Sequence, residues 1–339
     1  MLVSISIFAL ILAMTARIVN DARTTWSSAS SRVSQFRDAR LAFELITRNV
    51  SQATLNTYFD YDDPANPTAY VRNSELHFIT GNAEGSNKIL ASSSSLDERP
   101  TDCIFFQAYL GHTETDEYRN LGNLLNGRGY YLEFTDGTEL LPQFLSTSGY
   151  PGRARFRLWE WMPPSEYVSA TEKGNEIYAN PTGNAWFDSD TQLKSGGRSR
   201  LVADNVIAMI ISPRSALPDP GATSAAPDPW EIAPNYHYDS RSAGPIPGRS
   251  LQHLLPPLVQ ITLVAIDEPS ALRLAAQNGA AAPTLVYGTS AGTTIFSDPA
   301  NYEDDLENLQ NYLSAQSINF RVFSTTVALR SAKWDANSF

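Results

Sequence analysis

No proline or glycine occurs before Pro64, and this constrains the chain most, because the pattern over residues 1–57 is that of one unbroken helix. Residues 1–16 (MLVSISIFALILAMTA) carry no charge. The hydroxyls of Ser4, Ser6 and Thr15 can bond back to their own helix, so the run tolerates hydrocarbon. Leu2, Val3, Ile5, Phe8, Leu10, Ile11 and Leu12 are the side chains expected to face lipid or neighbouring helices. At about 1.5 Å per residue the run reaches about 24 Å, one to two turns short of a bilayer core of about 30 Å.

From Arg17 the pattern becomes amphipathic. Ala22, Trp26, Ala29, Val33, Phe36, Phe43, Ile46, Val50 and Ala53 recur mostly at steps of three or four, with Arg40 between the two phenylalanines. Such spacing puts them on one helix face. Trp26, Val33, Phe36, Phe43, Ile46 and Val50 are the expected packing stripe against a head. Glu44 precedes Arg48 by four residues, the favourable order for a surface ion pair. The expected organisation is a stem over 1–57 (apolar 1–16, amphipathic 17–57) and a β-rich head over 58–339.

The head opens with the acidic turn Tyr58 to Pro67. Its Asp60, Asp62 and Asp63 lack the glycine and terminal glutamate of a calcium loop. Short aromatic and branched runs then predict antiparallel strands at 74–79, 102–109 and 129–134. Residues 153–161 (RARFRLWEW) alternate and predict a half-buried strand, its arginines in cross-strand ion pairs. Residues 167–200 and 213–257 read as long loops, the second with ten prolines. Between them, 201–213 reads as a core strand stopped by Pro213. A strand at 258–267, a helix marked by Tyr302, Leu306, Leu309 and Leu313, and a last strand at 318–329 complete the expectation of an α+β fold, a long N-terminal helix packed on an antiparallel sheet.

Lys plus Arg number 25 and Asp plus Glu 36, a net charge of −11. That surface repels phosphate, so no nucleic-acid partner is expected. The four histidines show no ligand spacing, and no nucleophile elbow or phosphate loop is present. No catalytic, cofactor-binding or metal residues are therefore expected, and the chain reads as not an enzyme. Cys103, the only cysteine, lies in an apolar run and reads as a buried, inert thiol.

Three readings fit the opening: a cleaved signal peptide, a plain signal anchor, or a stem that packs in a membrane or filament. The segments MLVSISIFALILAM and RDARLAFELITRNVSQA resemble the N-terminal region of type IV pilin-like proteins, particularly the J-type minor pseudopilins of type II secretion and the PilW-like minor pilins. The run LPPLVQITL at 255–263 matches a strand near the C-terminus of the same proteins. An acidic helix followed by NFRVFSTTVALRSAKW resembles the Verru_Chthon cassette protein C group. The family's Gly-Phe cleavage site and glutamate are absent, and Met1 falls just after the position of that glutamate, so the resemblance implies sequence ahead of Met1. It further implies a pseudopilin-like fold, a single-pass inner-membrane stem with a periplasmic head, and non-enzymatic assembly into a secretion or pilus-like filament. Implied partners are other minor pseudopilins or pilins, inner-membrane lipid and a prepilin peptidase. The alternative is a membrane-tethered periplasmic binding or adhesion module.

Overall fold

The computed structural model describes residues 12, 14–19, 36–84, 88–90, 98–166, 184, 186–187, 193, 198–215, 232–245, 250–279, 281–285 and 295–334. Helix α1 runs over 36–50. Ala39, Ala42, Ile46 and Val50 are buried, with Phe36 and Phe43 half-buried, while Arg37, Asp38, Arg40, Glu44 and Arg48 face solvent. Glu44 pairs with Arg40 at 2.9 Å, the preceding turn, and not with the expected Arg48. The helix ends where the head captures the chain: Thr54 N–H donates to the Gln107 carbonyl at 2.9 Å, and Ala53, Thr54 and Leu55 are buried.

The expected continuous helix over 1–57 is therefore corrected. Before α1, helical backbone is described only at residues 12 and 14–19, and no described helix is long and apolar enough to cross a membrane. The long-stem fold class, the single-pass inner-membrane location and the membrane pseudopilin description that rested on them fall with it. The described protein is mostly β-sheet with short helices. Tertiary pairing at Thr54 ends a helix that local sequence alone would extend.

Antiparallel strands make three sheets among the described residues. β1 (Tyr58–Tyr61) and β2 (Tyr70–Asn73) form a separate ribbon. β3 (Ile79–Asn82), β4 (Asp102–Ala108), β5 (Asn126–Thr135), β6 (Arg155–Trp161), β7 (Ser199–Asp204) and β9 (Tyr238–Asp239) form a six-stranded sheet in the order β7-β6-β5-β4-β3-β9. β8 (Val206–Arg214), β10 (Leu258–Ile266) and β11 (Phe320–Ala328) form a smaller one in the order β11-β10-β8. Beyond a short helix α2 (Gln143–Thr147), two more follow, α3 (Glu268–Asn278) and α4 (Tyr302–Ala315).

One apolar core joins Ile46 and Val50 of α1 to Ile104, Phe106 and Leu132 of the large sheet and to Met209, Ile211 and Ile261 of the small one. Opposite faces of one element bury against different partners: Ile207 and Ile210 of β8 meet Leu309 and Leu313 of α4. On the far side of the large sheet, Trp159 and Trp161 join Phe105, Trp186 and Phe187. β6 is thus buried on both faces, correcting its half-buried reading. The loop readings change as well. Trp186, Phe187 and Leu193 plug into the core from within 167–200, and 213–257 contributes β9 and the buried Tyr236; its other residues at 216–231 and 246–249 lie outside the described ones.

Between β7 and β8 the chain changes sheets at Asn205, which sits in the left-handed region at φ 62°. Its N–H donates to the Phe156 carbonyl at 2.7 Å, and its side-chain amide to Glu268 at 2.9 Å. β8 also continues through Pro213, paired with Val259. The edge of β8 away from β10 is closed by side chains: Met209 N–H donates to Thr101 Oγ1 at 2.9 Å and Ile211 N–H to Asp102 Oδ2 at 2.8 Å. Residue 213 is next in that alternation, where proline has no N–H to leave unpaired.

Candidate functional site

Of the side chains expected to face lipid or other stems, Leu2, Val3, Ile5, Phe8, Leu10 and Ile11 lie outside the described residues. Leu12 is described and exposed, as are Met14, Ile18 and Val19 on helical backbone. Trp26 and Val33 of the packing stripe also lie outside the described residues, whereas Phe36, Phe43, Ile46 and Val50 pack inward on α1. Phe43 meets Phe323 of β11 with ring centroids 5.9 Å apart. A polar bolt accompanies this packing: the Asn49 amide donates to Tyr130 Oη at 2.7 Å, and that hydroxyl donates to Glu160 at 2.8 Å.

A cleft of about 600 Å³ opens over the outer face of β5 and β6. Tyr131, Phe134, Leu140 and Trp159 supply its apolar walls, and Glu98, Glu133, Asp136 and Glu139 its carboxylates. No basic side chain among the described residues lines it. Asp136 accepts the Thr138 N–H at 2.9 Å and hydroxyl at 2.8 Å, and these bonds hold its carboxyl below the usual range. Glu139 accepts from Thr135 Oγ1 at 2.5 Å. Beneath the floor, the fully buried Arg99 donates to Glu133 at 2.8 and 3.2 Å, with its guanidinium 5.9 Å from the Tyr131 ring centroid. Trp159 is only 8 % exposed, and its indole N–H has no acceptor among the described residues.

Several other titratable groups hold the fold together. His77 accepts from Trp186 Nε1 at Nδ1 (3.1 Å) and donates from Nε2 to Asp239 (2.7 Å), which fixes its tautomer. Burial lowers its pKa despite the carboxylate, so the ring is neutral at pH 7. Cys103 is buried in β4 and burial pushes its thiol upward. Asp62 is held low by bonds from the Thr68 hydroxyl and the Thr68 and Ala69 amides, which close its own turn. Among the described residues no three His, Cys, Asp or Glu side chains are grouped to hold a metal. The expected ion pairs of β6 exist in part: Arg157 meets Asp204 across β6 and β7 at 3.2 Å, but Arg155 reaches Glu268 on α3.

Sequence reading missed the cleft, because its walls come from four separated segments and carry no motif. It also assigned no role to Gly127 and Gly129 of β5. A Cβ at Gly127 would stand 2.7 Å from Trp161 Cζ3, and one at Gly129 would overlap the Phe105 ring. Two glycines on one face of a strand beside tryptophans were the available signal. No protein-family model, curated protein or solved structure matches this chain.

Proposed function

We propose that the chain is a non-enzymatic subunit that assembles with other protein chains through its N-terminal helical segment. One observation carries this reading: Leu12, Met14, Ile18 and Val19 stand on helical backbone more than half exposed. Apolar area left in water forgoes about 25 cal/mol per Å², and clustered exposure of this kind marks an interaction surface. The resemblance of its sequence to minor pilin-like proteins, which assemble through N-terminal helices, supports the same direction. A second reading, a binding module, is favoured by the aromatic and acidic cleft.

The test uses the absence of any cysteine but Cys103, which is buried. Ile18→Cys in the full chain, treated with a reagent that carries a maleimide for the thiol and an active ester for a partner's lysine, should give a cross-link to a second chain in the cells that make it. Adding Leu12→Asp and Met14→Asp should abolish that adduct while the thermal melt of the head stays unchanged. A cross-link pattern indifferent to the aspartates would sink the reading.

A further inference from the structure

We infer that the outer edge of β11 pairs with the same edge of a second copy of this chain, strand against strand about Ser324, joining two small sheets into one. The surface is distinct from the N-terminal segment and does not depend on the assembly reading. β11 is the edge strand of its sheet and pairs with β10 along its whole length without a register shift. The bonds at its two ends fix where its backbone groups point: the Asn319 carbonyl accepts the Asp267 N–H at 3.0 Å, and Leu329 N–H donates to the Pro257 carbonyl at 3.1 Å. Odd-numbered residues therefore bond to β10, and Phe320, Val322, Ser324, Thr326 and Ala328 turn their N–H and carbonyl groups outward. No described residue takes up those groups. The opposite edge of the same sheet is treated differently, since the side chains of Thr101 and Asp102 close β8. β11 carries no proline, lysine or bulge to blunt its edge.

The strand's own sequence selects the occupant. In FRVFSTTVA the bulkier side chains precede Ser324 and the smaller ones follow it. An antiparallel copy centred on Ser324 therefore sets Phe320 against Ala328, Phe323 against Thr325 and Val322 against the isosteric Thr326, and it pairs every outward backbone group with its counterpart. Phe320, Val322, Phe323 and Val327 are only half-buried within one chain, so the pairing takes apolar area out of water. Arg321, the strand's one charge, meets Val327, and the two arginines stand about 20 Å apart. No like charges meet in that register.

The experiment is sedimentation equilibrium of the full chain bearing Leu12→Asp and Met14→Asp, which take the N-terminal segment out of the association. The expected result is a reversible monomer–dimer equilibrium with a dissociation constant of about 1–100 μM, as suits a small interface. Thr326→Pro removes an outward N–H and no bond to β10, so it should weaken the dimer about tenfold with the melt unchanged. Because Ser324 meets its own twin, Ser324→Lys and Ser324→Glu should each be monomeric through like-charge repulsion, whereas their equimolar mixture should recover the dimer. Those two variants carry the test if the proline variant melts early. A chain that stays monomeric throughout this range, a dimer indifferent to a folded Thr326→Pro, or an equimolar mixture that stays monomeric would overturn the assignment, the last leaving the edge to a strand of another protein.

Discussion

Asp102 shows how one residue can serve the fold at a cost that depends on pH. Its carboxyl is fully buried in β4 and accepts the Ile211 N–H at 2.8 Å, closing the edge of β8. Burial pushes its pKa well up, with that hydrogen bond opposing only in part. The folded state therefore keeps a proton that the unfolded chain releases above about pH 3.9. Stability from this group is full below that pH and is lost as pH rises toward the raised folded value, at up to about 1.4 kcal/mol per unit. Asp102→Asn keeps the acceptor oxygen and removes the titration. Its advantage over the parent in urea melts should grow from pH 5 to pH 8; a constant difference would contradict the assignment. Cys103, one residue along, was legible as a buried thiol because the residues that follow it, Ile104, Phe105 and Phe106, are apolar, whereas nothing near Asp102 announced that a carboxyl would be sealed beside it.

Elements were legible where their own periodicity decided them. The stripe through Ile46 and Val50 lies on α1 as spaced, and Tyr302, Leu306, Leu309 and Leu313 are the buried face of α4. Ile46→Ala should cost about 2–5 kcal/mol by opening a cavity between the two sheets, while Leu41→Ala on the exposed side should stay within about 0.5 kcal/mol; equal losses in chemical denaturation would place the wrong face inward. Helix α3 went unread although its signals were present: Asp267 caps it, accepting the Ser270 N–H at 3.0 Å, and Pro269 follows in the first turn. The boundary of α1 was not legible, because it depends on Thr54 meeting Gln107, more than fifty residues away.

For the whole molecule, the decisive step is the passage from one sheet to the other at Asn205, with β7 and β8 separated by that single residue. Its left-handed backbone favours Asn or Gly. Asn205→Ala should therefore be less stable than Asn205→Gly by about 1 kcal/mol, although both lose the bond to Glu268; equal midpoints in denaturant would remove the corner from the account. The sequence by itself determined the strand-rich head, its acidic surface, the amphipathic face of α1 and the inert cysteine, since these follow from local pattern and composition. Tertiary structure decided where the first helix stops, that β6 is buried on both faces, that Trp186 and Phe187 leave a polar excursion to pack on Phe105, and that Glu98 and Trp159 meet the 131–140 segment in one cleft. Such outcomes depend on which distant segments compete for the same backbone groups and apolar surface, and that competition has no signature in any one stretch of chain.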